Sequence, residues 1–144
     1  MNEKDFYALE DVFRKILKKF PNEWKKHTKL GFSRSEALVL YILTKNGEQR
    51  ASQLAATLSI TTGGLTGITD KLVDGGYIHR TRDNKDRRAV YLTITEKGKA
   101  VLETMRKERK AFIETLFRGL TQEELHQFKH TASKILANFE DNVN

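Results

Sequence analysis

The spacing of apolar residues changes from a helical to an alternating pattern past the middle of this chain. As far as Val73, apolar residues recur every three or four positions, as on the buried face of an amphipathic helix. At Val90, Leu92 and Ile94 they occupy alternate positions, as in a half-buried strand. Helical spacing returns from Val101 onward. The pattern predicts a mainly α-helical protein with one small β-hairpin.

Capping signals divide the helical region before the hairpin into short segments. Ser33 with Glu36 three residues later has the spacing of a capping box, which predicts a helix start. A further short helix is predicted over residues 52–58, and Thr61 caps another that ends before Gly75. Two short helices joined by a tight turn are a candidate helix-turn-helix.

Longer helices flank this region on both sides. The first carries an apolar stripe made of Phe6, Leu9, Phe13, Ile16, Leu17 and Phe20. Because Pro21 cannot donate to a helical ladder, we expect that helix to kink or restart there. After the hairpin, a long helix is predicted to end at Gly119, and the spacing of Thr121 and Glu124 opens a last one.

The predicted hairpin pairs residues 77–82 with residues 89–94 across a polar, turn-forming tip. Between Tyr77 and Tyr91 there are five basic residues and two acidic ones, a local charge of +3. A helix-turn-helix followed by a basic hairpin is a winged-helix arrangement. Its second helix fits the major groove of duplex DNA, about 12 Å wide, and the hairpin tip reaches the neighbouring minor groove.

The composition narrows the class of protein. The chain has 144 residues, of which 38% are apolar and 31% charged, so it is ordinary for a globular domain that buries its own core. It contains no Cys, which excludes disulfides and thiol chemistry and agrees with a reducing compartment. The longest apolar run, residues 37–43, is too short to span a bilayer, and the N-terminus lacks a signal-peptide pattern. We therefore expect a cytoplasmic protein with no membrane partner.

A net charge of +7 and a pI near 9.6 favour a polyanionic partner. The order of short motifs between Gly31 and Gly98 is more specific. These motifs are Leu54-Ala55, Leu65-Thr66, Asp70-Lys71-Leu72, Gly76-Tyr77-Ile78, Arg82-Asp83, Asp86-Arg87-Arg88-Ala89, Leu92-Thr93 and Thr95-Glu96-Lys97-Gly98. In this order and spacing the chain resembles the MarR family of bacterial winged-helix transcription regulators.

The resemblance implies a homodimer that binds a palindromic operator in double-stranded DNA, more often as a repressor than as an activator. It implies one MarR-like domain over residues 1–144, with a DNA-binding lobe at 33–98. The helical regions 1–30 and 99–144 would hold two copies together, which agrees with apolar stripes that exceed what a small lobe covers by itself.

Two sets of residues are the candidates for DNA contact. In the recognition helix they are Thr61, Thr62, Gly63, Gly64, Thr66, Gly67 and Lys71. In the wing they are Arg82, Lys85, Asp86, Arg87 and Arg88. Threonine hydroxyls bond phosphates or base edges, and their methyl groups contact thymine methyls.

Several of these candidate positions can also be interpreted as structural residues. Arg88 matches the family's minor-groove arginine, a role that suits a weakly hydrated planar cation, whereas Arg87 is a candidate for phosphate contact. The alternative is that Asp86 and Arg88 pair only to rigidify the tip. Thr61 is equally well explained as a plain helix cap. The three glycines depart from the family pattern and predict sparse base contacts, with more weight on backbone approach and DNA shape.

No constellation typical of an enzyme is present, and no cofactor or metal is expected. The four histidines are His27, His79, His126 and His130. Only the last two have i, i+4 spacing, and they lack a third ligand other than Glu123 or Glu124. The histidine set of the family's zinc-sensing branch has no counterpart here, and the thiol-based branch is excluded by the absence of Cys.

Many MarR relatives release DNA when a small, often aromatic and anionic compound enters a crevice between the helical base and the lobe. The resemblance suggests Trp24, His27, Lys29, Phe32 and Tyr41 for such an effector crevice. Each of these residues is also explained as an ordinary core or surface residue. Two other classes of function remain open at this point: a winged-helix module that docks protein or RNA, and a metal-responsive sensor.

Overall fold

The computed structural model describes residues 1–141 and is mainly helical with one small antiparallel sheet. Its elements are α1 (Glu3–His27), α2 (Arg34–Asn46), β1 (Gln49–Arg50), α3 (Ala51–Thr57), α4 (Thr62–Asp74), β2 (Ile78–Arg82), β3 (Val90–Ile94), α5 (Glu96–Leu116) and α6 (Gln122–Asp141). The predicted fold class, mainly α-helical with a winged helix-turn-helix, is confirmed.

The helices that position the candidate site begin at the predicted caps. In α2 the Ser33 hydroxyl accepts a hydrogen bond from the Glu36 amide at 3.1 Å, and the Glu36 carboxylate accepts one from the Ser33 amide at 2.9 Å. In α4 the Thr61 hydroxyl accepts from the Gly64 amide at 3.0 Å. Each cap satisfies backbone N–H groups that a helix start leaves without an intrahelical partner.

Of the two outcomes predicted at Pro21, a kink or a restart of the helix, the restart does not occur. Helix α1 continues through Pro21 to His27, although the imide nitrogen cannot donate to the carbonyl four residues earlier. The helix ends where the amide and the hydroxyl of Thr28 both donate to the Trp24 carbonyl at 3.0 Å. A missing ladder bond therefore does not break a helix whose amphipathic pattern persists on both sides of the proline.

The sheet has one strand more than the sequence predicts. Its order is β1-β3-β2, with Arg50 opposite Tyr91 and Arg80 opposite Leu92. Strand β1 is only two residues long, so it shows no alternation that a period could reveal. Because β1 pairs with β3, Arg50 is placed beside the wing.

One apolar core holds α2, α3, α4 and the sheet together. Its most deeply buried members are Val39, Leu40, Leu43, Leu54, Leu65, Leu72, Ile78 and Leu92, each no more than 2% exposed. Since Leu65 and Leu72 anchor one side of α4 in this core, the opposite side of that helix must face outward.

The chain divides into two compact units, residues 1–109 and a second unit that starts at Lys110. In the second unit the rings of Phe117 and Phe128 meet edge to face at 5.0 Å. At the start of α6, Thr121 and Glu124 exchange hydrogen bonds as predicted, and the Thr121 amide lowers the pKa of the Glu124 carboxyl. Within residues 1–141, no helix is long and apolar enough to cross a membrane.

The apolar stripe of α1 lies in solvent in the single chain. Its six residues are 41% to 59% exposed, and no residue of α1 is fully buried. The second unit has a comparable exposed set in α6, made of Phe128, Ile135, Leu136 and Phe139. Apolar patches of this extent on an amphipathic helix mark surfaces that another molecule covers.

Candidate nucleic-acid interface

The outer face of α4 carries every residue that the sequence predicts for DNA contact in this helix. All seven are exposed: Thr61, Thr62, Gly63, Gly64, Thr66, Gly67 and Lys71. The residues between them that turn inward, Leu65, Thr69 and Leu72, are buried. The fold thus presents one polar, small-residue face of α4 as a continuous surface.

The threonines on this face differ in the hydrogen bonds they still offer. The Thr66 hydroxyl donates to the Thr62 carbonyl at 3.0 Å, so its proton is already engaged within the helix. It keeps its lone pairs and its methyl group for a partner. The Thr61 hydroxyl is occupied as the helix cap.

Two of the three glycines stand where a side chain has room. A Cβ built at Gly63 or Gly67 would meet nothing within 4 Å, whereas one at Gly64 would lie 3.2 Å from the Thr61 hydroxyl. Packing inside the folded chain therefore does not demand glycine at 63 or 67. The missing side chains leave the backbone of α4 open to close approach by a partner.

The tip of the wing, residues 83–89, is an ordered loop. The Asp83 amide donates to the Ala89 carbonyl at 3.0 Å, and the Ala89 amide donates to the Asp86 carbonyl at 2.9 Å. The guanidinium of Arg82 donates to the Arg87 carbonyl at 3.1 Å. Arg82, predicted as a DNA contact, therefore also braces the tip through this exposed hydrogen bond.

Asp86 shapes the tip through a backbone contact. Its carboxylate accepts a hydrogen bond from the Arg88 amide at 3.1 Å. Its second oxygen lies 4.0 Å from the guanidinium of Arg50, in an exposed pair of the kind that contributes about 1 kcal/mol or less. In the described chain no ion pair engages the guanidinium of Arg88, which remains available for an anion.

A groove of about 330 Å³ separates α4 from the wing. Four arginines line it, Arg50, Arg80, Arg82 and Arg88, together with polar residues that include Thr62, Thr66 and Thr69. No acidic residue of the described chain is among its lining residues. Positive charges in a concave site raise the local concentration of anions, so the groove attracts a polyanion such as a nucleic-acid backbone.

Arg80 ties the wing to α4. Its guanidinium donates to the Thr69 hydroxyl at 2.8 Å and to the Asp70 carboxylate at 2.7 Å. Sequence reasoning missed both Arg80 and Arg50 as groove residues. The sequence carries no clear signal for Arg80, because the hydroxyl of the buried Thr69 already donates to the Leu65 carbonyl within its own helix.

We expect Arg80→Gln to weaken binding to duplex DNA about tenfold, because it removes the brace between wing and α4 and one groove cation. Asp70→Asn separates these two effects. If the brace matters, Asp70→Asn also weakens binding, and the double variant is no worse than Arg80→Gln alone. The affinity of each variant for the same DNA duplex is measured by titration. Tighter binding by Asp70→Asn would show that Arg80 acts only as a charge.

The residues suggested for an effector crevice lie on α1, on α2 and between them. Trp24, His27 and Phe32 are half-buried, whereas Lys29 and Tyr41 are exposed. His27 Nδ1 lies 2.9 Å from the Glu23 carbonyl, and the Lys29 amide donates to the Glu108 carboxylate at 3.2 Å. The Phe32 ring meets Tyr77 edge to face at 5.0 Å, and Lys45 lies 5.8 Å above the Tyr41 ring. A ligand role for them stays a prediction.

No group of three or more His, Cys, Asp or Glu residues in the described part of the chain has an arrangement that would hold a metal ion.

A helix-turn-helix with an exposed second helix, flanked by a cationic wing, defines a winged-helix DNA-binding protein. Comparison with known proteins agrees. The profile of the MarR family matches residues 32–90. The HTH-type transcriptional regulator YpoP of Bacillus subtilis is 30% identical over 129 residues, which cover 90% of this chain and 92% of that protein. The chain belongs to the MarR family and is a transcriptional regulator with a DNA-binding winged helix, not an enzyme.

Two further comparisons extend this result. The HTH-type transcriptional repressor MdtR of B. subtilis is 30% identical over 128 residues, covering 89% of this chain and 81% of that protein. The crystal structure of a mutant of Escherichia coli MarR complexed with operator DNA has the same fold. It has a TM-score of 0.62 and 22% identity, covering 92% of this chain and 96% of that one.

Proposed function

We propose that this protein is a cytoplasmic, ligand-responsive repressor that binds a palindromic operator as a homodimer. The observation that carries the proposal is the pairing of the exposed small-residue face of α4 with an arginine-lined groove and wing. Major-groove readout needs a helix that is free on one side, and phosphate binding needs cations around it.

In this proposal α4 enters the major groove and the wing follows the adjacent minor groove. Thr62 and Thr66 meet base edges, while Gly63 and Gly67 let the helix backbone come close to the DNA. Arg88 enters the minor groove, and Arg87 and Lys85 contact phosphates. The free guanidinium of Arg88 and the ordered tip that carries it support this division.

The homodimer is supported by the exposed apolar stripes of α1 and α6. A second copy of the same chain offers identical stripes, and in a two-fold symmetric dimer each copy can cover the apolar surface of the other. The same symmetry would place two recognition helices on an inverted repeat. The two helical regions predicted to dimerise, residues 1–30 and 99–144, include these stripes.

Repression is supported by the similarity to MdtR, which is described as a repressor. A ligand response is supported by the half-buried aromatic surfaces of Trp24 and Phe32 near the cationic Lys29 in sequence. An aromatic anion has the complementary chemistry, since it stacks on such rings and pairs with a cation.

Selection of bound sites from random duplex DNA, followed by titration of the best site at several salt concentrations, tests the proposal. We expect an inverted repeat with half-site centres about one helical turn apart. Log affinity should fall linearly with log salt, by about 0.9 per phosphate contact. Enrichment of single unrepeated sites would contradict the dimer on a palindrome. A flat salt response, or tighter binding to RNA than to any duplex, would contradict operator binding.

A further inference from the structure

The C-terminal end of α4 is held by residues at the start of α5, and we propose that Lys97 is a positioning residue for the recognition helix. The proposal rests on the proposed role of α4 in the major groove. It concerns a network of residues outside the DNA-facing surface, here called the α4–α5 junction. Its members are Gly75, Gly76, Tyr77, Thr95, Lys97 and Gly98.

Two side chains from the α5 end bond the backbone carbonyls that end α4. The Lys97 ammonium donates to the Gly75 carbonyl at 2.6 Å, and the Thr95 hydroxyl donates to the Gly76 carbonyl at 2.7 Å. A helix leaves its last carbonyls without intrahelical partners, and its C-terminus carries partial negative charge. A lysine there satisfies both requirements at once.

A second contact holds the Lys97 ammonium against an aromatic ring. Its ammonium lies 4.6 Å from the centre of the Tyr77 ring, a cation–π contact, and that ring packs edge to face on Phe32 at 5.0 Å. Three features therefore set the place of the ammonium: a carbonyl, a ring face, and the anchoring of that ring on the core. These contacts fix the direction in which the Lys97 side chain points, whereas a lysine that contacts only solvent has no preferred direction.

The backbone of the junction is closely packed. A Cβ at Gly98 would overlap the Tyr77 carbonyl, and one at Gly75 would overlap the Tyr77 ring. Gly76 has a φ of +76°, a conformation that side chains disfavour. The start of α5 thus lies directly against the end of α4. A change at Lys97 therefore alters the contacts that hold the end of the recognition helix.

A positioning role has a signature that separates it from phosphate binding and from a purely structural role. A misplaced helix no longer reads the bases correctly but keeps the wing and its charges. Specific affinity then falls, while affinity for random duplex and the salt slope stay as in the parent. If Lys97 instead bound phosphate, its removal would lower both affinities and reduce the salt slope by about 0.9 for each phosphate no longer bound. Unfolding of part of the sample would lower both affinities equally.

The test compares Lys97→Met with Lys97→Arg and with Lys99→Met, in the full chain. Methionine keeps an apolar stem but has no donor, and arginine keeps a cation and donors. Lys99 is an exposed lysine in the same helix that pairs with Glu96 at 3.1 Å, so its variant matches the charge change. Titrations use the selected operator, its single-base variants and a random duplex, with the active fraction determined for each protein.

We expect Lys97→Met to bind the operator about fivefold more weakly, because the recognition helix is then held less firmly in its reading position. Its discrimination between the operator and single-base variants should shrink, and amide hydrogen exchange at residues 72–77 should accelerate. Lys97→Arg should restore most of the operator affinity, and Lys99→Met should behave as the parent. Unchanged discrimination in Lys97→Met, a reduced salt slope, or no rescue by arginine would each overturn the inference. If the parent itself does not discriminate between duplexes, the proposed function fails instead.

Discussion

A chain that carries Phe13→Glu and Leu17→Glu should be a folded monomer that no longer binds operator DNA with high affinity. Both residues lie in the exposed stripe of α1, at 57% and 58% exposure, so the fold of the single chain does not depend on burying them. In an isologous dimer each substitution occurs twice and places unpaired carboxylates in an apolar interface. We expect the dimer dissociation constant to rise at least about a thousandfold, since several kcal/mol are lost.

The matched control is Lys15→Gln with Lys18→Gln. It changes the charge of each chain by the same amount, but on the face of α1 opposite the stripe by helical period. Light scattering gives the mass, circular dichroism the helix content, and titration the operator affinity. A dimer of normal operator affinity in the glutamate variant would contradict the proposed interface. An unfolded glutamate variant would contradict the expectation that the single chain folds without its partner.

The sequence predicts the lobe well because its signals are local. The capping box at Ser33, the cap at Thr61 and the alternation of apolar residues in β3 each act within a few residues. Local hydrogen bonds and a strict period decide such elements whatever the rest of the chain does. For the same reason the outward placement of Thr62 and Thr66 follows from the helical period alone.

The features that the sequence did not predict depend on interactions between residues distant along the chain. Strand β1 forms by pairing with β3, with Arg50 opposite Tyr91. Two residues are too few for a sequence pattern to predict that pairing. The brace from Arg80 to Asp70 joins a strand to a helix, and the bond from Lys97 to Gly75 joins two helices. At Pro21 the helix does not restart, since one missing hydrogen bond did not outweigh a helical pattern that continues beyond it.

The wing and the recognition helix should respond differently to substitution, because the two DNA grooves carry different information. Arg88→Ala removes a cation proposed for the minor groove, where the pattern of donors and acceptors distinguishes little beyond A·T from G·C. Two copies act on one operator, so we expect a loss of about tenfold to a hundredfold. The loss should be similar for the operator and its single-base variants. The arginine control is Arg106→Ala on α5, whose side chain pairs with Glu103 at 2.8 Å.

Thr66→Ala should instead change the ranking of sites. Its hydroxyl proton is engaged by the Thr62 carbonyl, so the side chain presents only an acceptor and a methyl group outward. It can therefore favour a cytosine or adenine amino group, or a thymine methyl, at one position of each half-site. The substitution should cost affinity at that position alone, by about 1 kcal/mol per half-site.

Thr104→Ala is the matched control, because Thr104 makes the same bond, to the Ala100 carbonyl at 3.2 Å, on α5. Competition titrations across all single-base variants of the selected operator compare the profiles of the four variants with that of the parent. If Thr66→Ala lowers every site by the same factor, the hydroxyl touches phosphate and the base contacts of α4 come from elsewhere on its face. If Arg88→Ala binds as tightly as the parent, Arg87, Lys85 or Arg50 must supply the wing's cation, since their side chains are also exposed there.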